Sequence, residues 1–345
     1  MLEIQEANHM TNTAGNKGAG QLADIYYKLT GKIGLGKSER ITRIWSMLCD
    51  EEEAALAFAL PGTLEALAAK TDKSSGETEG ALKALYHKGV VFERRKDGVT
   101  TYNPPRNFIQ FHDATILWPE APVEFLDLWK EYVAHEYPAF IKMLSDAGMG
   151  PFMRIIPINK SIKGGATVLP YEAAANMINE AGKLAVADCP CRRAVRECDA
   201  PLDVCIQINK GADYVLQRGT GREISKEEAV VILDRAEKAG LVHLTEHRPG
   251  LGNVLCNCCP CCCMALQPLL KGGVRAFAVP SRFSASVDAS ACTGCGLCEP
   301  RCHADAISDA DSSAKVDAER CIGCGLCASV CPTEAIALQE IRPPA

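Results

Sequence analysis

Residues 284–345 carry one cysteine ladder twice, and this repeat constrains the chain more than any other feature. Cys292-x-x-Cys295-x-x-Cys298-x-x-x-Cys302 recurs as Cys321-x-x-Cys324-x-x-Cys327-x-x-x-Cys331-Pro332, with Val287-Asp288 and Val316-Asp317 just ahead of each first cysteine. Three thiolates at i, i+3 and i+6 can wrap one face of an iron-sulfur cube, and the distant fourth cysteine completes the cube of the other repeat. On that logic one cluster takes Cys292, Cys295, Cys298 and Cys331, and the other takes Cys321, Cys324, Cys327 and Cys302. A zinc ribbon fits less well, because zinc sites usually group their cysteines in pairs separated by a loop.

The ladders and their near-identical centres, Gly294-Cys295-Gly296-Leu297-Cys298 and Gly323-Cys324-Gly325-Leu326-Cys327, resemble the bacterial ferredoxins with two [4Fe-4S] clusters. The resemblance implies a small pseudo-twofold sandwich of short strands and two helices. Ala306-Ile307 and Ala335-Ile336 would pack against the cubes, and glycine at these places lets backbone N–H groups approach cluster sulfur. His303 departs from the pattern, standing where the family usually has proline. Proline there mainly shapes the turn, so the histidine reads as a tolerated substitution ahead of a proton-coupled site.

A chain of 345 residues has room for two or three domains, so the ladder leaves most of it unexplained. Nineteen cysteines raise the question of a disulfide scaffold, but Met1-Leu2-Glu3-Ile4-Gln5-Glu6 has neither the basic flank nor the apolar run of a secretory signal. The thiols are therefore expected to be reduced and the protein cytoplasmic. No apolar run approaches the roughly 20 residues that span a bilayer, so no membrane insertion is expected. A formal net charge of -6 argues mildly against nonspecific nucleic-acid binding. The fold class expected is α+β multidomain, with a helical segment over 1–40, a winged helix over 41–106, a helical connector over 107–170, a cysteine-rich α/β domain over 171–280 and the ferredoxin module over 284–345.

The winged helix is read from Thr63 to Lys70 as one helix, about Glu77 to Lys88 as a second with Leu82, Leu85 and Tyr86 as its apolar stripe, and a hairpin turning at Asp97-Gly98. A helix that reads DNA presents donors and cations. This one carries Glu77 and Glu79 against Lys83 and Lys88, and only Arg94, Arg95 and Lys96 form a basic cluster, so a structural or protein-docking role is favoured over binding DNA. Upstream, Gly31-Lys32-Ile33-Gly34-Leu35-Gly36-Lys37-Ser38 satisfies the phosphate-loop pattern by letter. It lacks the strand before and the α/β domain after, so no nucleotide is expected. The aromatic stretch Phe111 to Gly150 reads as core, with His112 and His135 as ordinary polar residues.

In the middle, Lys183 to Asp188 reads as a buried strand ending in Cys189-Pro190-Cys191, followed by Cys198 and Cys205. Gly252 to Leu255 reads as a second strand, ending in Cys256-Asn257-Cys258-Cys259-Pro260-Cys261-Cys262-Cys263. Between them Ser225 caps a helix, with Glu228 in capping-box position and Gly240 as the stop. These ten thiols are too many to bury as small hydrophobes, so they are candidates for a further iron-sulfur cluster or, less favoured, zinc. Cys189, Cys191, Cys198 and Cys205 make the most coherent single set; sets shared with the second loop, and a second centre, stay open. Arg192, Arg193 and Arg196 read equally as support for thiolates or as a solvated face. The region resembles cysteine-rich parts of uncharacterised ferredoxin-fused proteins from anaerobes, a resemblance that supplies no reaction.

The function expected is single-electron transfer at low potential to or from a partner oxidoreductase, as a carrier or subunit more than a stand-alone enzyme. Two alternatives come from other classes: an iron-sulfur transcription regulator, and a catalytic subunit binding substrate at the middle centre.

Overall fold

The computed structural model describes residues 23–36, 38–162, 173–275, 277–310 and 313–343. Five helices come first: α1 (Asp24–Lys32), α2 (Glu39–Leu48), α3 (Glu51–Ala59), α4 (Leu64–Thr71) and α5 (Ser75–His87). Side-chain caps set where they start. The Ser38 hydroxyl accepts from the Ile41 amide, and Asp50 and Ser74 form reciprocal capping boxes with Glu53 and Glu77. Each such cap stabilises its helix by about 1 kcal/mol. Gly31 and Lys32 are the last residues of α1, so the phosphate-loop lookalike follows a helix and joins two helices, as expected.

After α5 come β1 (Phe92–Lys96) and β2 (Val99–Asn103), paired antiparallel with Lys96 opposite Val99. Asp97 and Gly98 between them have φ of 50° and 77°, the left-handed backbone that a two-residue hairpin requires. Three more helices follow, α6 (Phe108–Ile116), α7 (Val123–His135) and α8 (Tyr137–Asp146). Their aromatic residues form the core expected of them: Trp45 stacks on Phe111 with centroids 4.5 Å apart, and Phe111 meets Trp129 edge-on at 5.5 Å.

The stretch expected to be a helical connector also contains a strand, β3 (Met153–Ile156), because Ile155 and Ile156 are buried in a sheet. The elements that follow are α9 (Ala174–Glu180), β4 (Leu184–Ala187), α10 (Pro190–Val195), β5 (Cys205–Ile208), α11 (Lys210–Gln217), β6 (Gly221–Glu223), α12 (Lys226–Lys238), β7 (Val242–Glu246), β8 (Val254–Cys258), α13 (Leu266–Gly272) and β9 (Ala278–Val279). Seven strands form one sheet in the order β6-β4-β5-β8-β7-β3-β9, antiparallel except for the β3–β9 pair. Ser225 does cap α12, but the Glu228 carboxylate turns to Arg222 at 2.5 Å instead of returning to the cap. Gly240, at φ 78°, ends the turn after the helix.

The ladders lie among β10 (Phe283–Val287), β11 (Ile307–Ala310), β12 (Ser313–Val316), α14 (Leu326–Ser329) and β13 (Ile336–Glu340). β10 pairs with β13 and β11 with β12, both antiparallel. The repeat is visible in the backbone. The Asp288 amide donates to the Ala335 carbonyl and the Asp317 amide to the Ala306 carbonyl, each at 2.8 Å, so each half is tied to the other by the same bond. Where the second ladder forms α14, the first has only hydrogen-bonded turns around Glu299 to Cys302, one helix fewer than the resemblance implied.

Candidate metal centres

The fourth cysteine of each ladder lies with the triplet of the other. Cys331 lines one cavity together with Cys292, Cys295 and Cys298, closed on its apolar side by Ile307 and Ile336. Cys302 is close enough to Cys324 and Cys327, with Cys321, for its charge to oppose their ionisation. Burial does most of this, pushing Cys324 up to about 12. Four convergent thiols around an apolar-walled cavity fit an iron-sulfur cube, whose ligands are thiolates.

The two sets differ in environment. Cys295 is exposed and Leu297 beside it is 52% exposed, so the first set faces solvent. The second faces inward: the Ile158 amide donates to the Cys324 carbonyl at 3.0 Å, the Ser161 hydroxyl to Gly325 O at 3.1 Å and the Ser281 hydroxyl to Gly323 O at 2.8 Å. Ile322 and Leu326 are buried in the same core as the seven-stranded sheet. Gly323 is needed at this contact. Its φ is 67°, and a Cβ there would lie 2.2 Å from the Phe283 carbonyl oxygen.

The upstream thiols fall into two groups. In β8 alternate residues share a face, so Cys256 and Cys258 point together while Asn257 points away, bonding His243 Nδ1 at 2.5 Å. Register brings Cys205 opposite Cys256, since Ile206 pairs with Leu255 one step earlier. Cys256 and Cys205 are neighbours whose ionisations influence each other, and the chain of neighbouring thiols continues from Cys256 to Cys258, Cys258 to Cys263, Cys263 to Cys191 and Cys191 to Cys189. The Cys205 thiol, with Cys258, holds Cys256 down to about 6, and donation from Cys191 and Cys258 holds Cys263 low.

The remaining four, Cys198, Cys259, Cys261 and Cys262, have all their sulfur atoms within 4.8 Å of one another. The coherent single-loop set expected from the sequence is therefore split. Cys198 lies beyond α10, after the left-handed Arg196, and leaves Cys189, Cys191 and Cys205 for the second loop. Of the three arginines only Arg192 serves the thiols. It is 1% exposed and its charge lies beside Cys259, Cys198 and Cys189, whereas Arg193 reaches the Trp118 carbonyl and Asp188, and Arg196 pairs with Asp127.

His112 is a residue the sequence reading passed over. It is fully buried in α6, with Nδ1 2.8 Å from Asp113 Oδ1 and no hydrogen-bond partner for Nε2, and a ring nitrogen, an Asp113 oxygen and Cys191 Sγ lie within 4.8 Å of one another. No motif marks it, since α6 reads as an aromatic core helix and Cys191 is far away in sequence.

Residues 285–338 match the family model described as a 4Fe-4S dicluster domain. This segment is a ferredoxin-type iron-sulfur module. No curated protein and no solved structure matches the chain. Among the described residues no helix is long and apolar enough to cross a membrane.

The module sits on the same end of the sheet as the six-thiol chain. Val242 in β7 is opposite Cys258 on one side, and continuing the β3–β7 register puts Pro157 opposite it on the other. Strands are spaced about 4.8 Å apart, so Cys258 and Pro157 have Cα atoms roughly 10 Å apart. Ile158, the next residue, is the one bonded to the Cys324 carbonyl.

Proposed function

We propose that this protein transfers single low-potential electrons to or from a partner oxidoreductase. Cys292, Cys295, Cys298 and Cys331 would hold one [4Fe-4S] cluster, and Cys321, Cys324, Cys327 and Cys302 a second. The six-thiol chain from Cys189 to Cys205 would hold a further iron-sulfur centre. Bound clusters supply reversible one-electron redox chemistry. The protein supplies thiolates, apolar walls that exclude water and a fixed separation between sites.

The observation that carries this reading is the difference between the two ladders. One opens to solvent at Cys295, where a redox partner can approach, and the other packs against the end of the sheet that also bears Cys258. Anaerobic purification followed by iron and sulfide analysis tests it. About eight of each is expected for the module alone and about twelve with the further centre. Fewer than about four irons, or a reduced protein with no EPR signal from a cluster, would remove the basis for electron transfer.

The segment α4-α5-β1-β2 is read as a winged helix that docks protein. Tyr86 of α5 donates to Gln217 Oε1 at 2.9 Å and meets Tyr214 edge-on, while Phe92 stacks on Tyr214 at 4.6 Å, so this segment already packs on α11 through the apolar side of α5 and the start of β1. One observation favours the transcription-regulator reading instead: Arg94, Arg95 and Lys96 remain exposed on β1. A shift of duplex DNA at physiological salt that is abolished by R94A/R95A/K96A would establish that second reading.

A further inference from the structure

The sulfur atoms of Cys198, Cys259, Cys261 and Cys262 are too close together to surround a cube. Cys198 Sγ lies 3.7 Å from Cys259 Sγ, Cys261 Sγ lies 3.7 Å from Cys262 Sγ, and no pair exceeds 4.8 Å. Four sulfurs at 2.3 Å from one tetrahedral ion stand about 3.8 Å apart along each edge. A four-iron cube puts each thiolate on a different iron at a different corner, which spreads the sulfurs further than a shared ion does. The spacing here is that of a shared ion.

The local sequence explains the spacing. Cys259 follows the last residue of β8, Pro260 fixes the backbone of the turn, and the Cys263 amide returns to the Cys259 carbonyl at 3.3 Å, so Cys261 and Cys262 are carried back towards Cys259. Cys198 reaches in from the loop after α10. Cys263, one residue further on, belongs to the other group through Cys191 and Cys258. Ten thiols interleaved in the sequence thus separate into four and six.

Arg192 is a second, independent observation. Its guanidinium is buried, donating to Pro201 O at 2.5 Å and Asn257 O at 3.1 Å, it forms no ion pair with a carboxylate among the described residues, and its neighbours are Cys259, Cys198 and Cys189. A buried cation without a counter-charge costs several kcal/mol. Four thiolates around one divalent ion carry a net charge of about -2, which supplies that counter-charge in place.

We infer that Cys198, Cys259, Cys261 and Cys262 bind one tetrahedral divalent metal ion, zinc or iron, as a closed site separate from every iron-sulfur cluster, with Arg192 as its buried counter-ion. With no position left for water or substrate, the ion cross-links the loop after α10 to the turn after β8 and thereby fixes the mouth of the six-thiol chain.

The test uses the full chain, purified anaerobically, with zinc, iron and sulfide counted on one sample and X-ray absorption recorded at the edge of the metal found. The expected result is one ion per chain in excess of the iron balanced by sulfide, with four sulfur neighbours at about 2.3 Å. Zinc identifies one occupant, and a single iron in excess of sulfide with a ferric-thiolate spectrum identifies the other. C261S, which alters a half-buried ligand, is expected to lose that ion while sulfide stays at the wild-type count. Iron equal to sulfide with no zinc, or an ion bound through nitrogen or oxygen, overturns the inference, as does a folded C261S that keeps the ion. If C261S does not fold, the wild-type absorption spectrum still decides. Absence of sulfide with the ion present would sink the electron-transfer proposal and leave this site standing.

Discussion

His303 Nε2 lies 2.7 Å from the carbonyl oxygen of Gly240, joining the ferredoxin-type module to the turn that ends α12. A carbonyl only accepts, so the ring donates from Nε2. Beside it Arg301 donates to the carbonyls of Glu237 at 2.6 Å and Lys238 at 3.2 Å in the last turn of the helix, where the Glu237 oxygen also accepts the Gly240 amide. This gives the departure from proline a physical role. Proline has no side-chain donor and would leave the Gly240 carbonyl without this partner. Removing the bond with H303A is expected to cost about 1 kcal/mol, and R301A about 2 kcal/mol because its hydrogen bonds are charge-assisted. Urea unfolding followed by circular dichroism checks both; midpoints equal to wild type would show that the docking contacts are energetically idle.

Gly323 separates two causes of glycine preference. G323A brings a Cβ to 2.2 Å from a backbone oxygen and is expected to lose the inner cluster or solubility. G296A has a similar φ of 72° but nothing within 4 Å of the new Cβ, so only the left-handed backbone strain of about 1 kcal/mol remains. Iron content per folded chain distinguishes them. Equal iron loss in both variants would mean that the packing against Phe283 is not what requires glycine.

Exposure of Cys295 and burial of Cys321 and Cys327 predict a two-phase loss of iron to a chelator under mild oxidation, the outer set first. C331S, which removes a ligand from the outer set, should leave the slow phase, and C302S should leave the fast one. Absorbance in the visible range during chelation reports both phases. A single phase unchanged by either variant would mean that the cross-paired ligand sets are wrong.

Buried and unpartnered at Nε2, His112 stands beside Cys191 without belonging to either thiol group. H112Q keeps a polar side chain and removes the imidazole. The total iron count should stay at wild type while the reduction potential of the middle centre shifts, because neighbouring dipoles and charges set cluster potentials. Redox titration monitored by EPR checks this; identical potentials would reduce His112 to core packing against Trp129.

Much of the local structure was legible along the chain. The capping residue Ser225, the Asp97-Gly98 turn and the i, i+3, i+6 ladders act over a few residues, and the matching flanks of the ladders announced the twofold before any fold was known. The capping box at Ser225 failed, since Arg222 competes for Glu228 from across a turn. The strand at Met153–Ile156 was missed because three helices precede it and its partner β7 lies about 90 residues downstream.

Sequence alone determined that the carboxy-terminal segment is an iron-sulfur module, because that conclusion rests on residue type and short-range spacing. Tertiary structure alone decided which thiols meet. Strand alternation turns Cys256 and Cys258 one way, antiparallel register brings Cys205 opposite them, and the Pro260 turn carries Cys259, Cys261 and Cys262 back to a cysteine 61 residues upstream of Cys259. Such pairings are set by the sheet, and neighbours in sequence end up facing different partners.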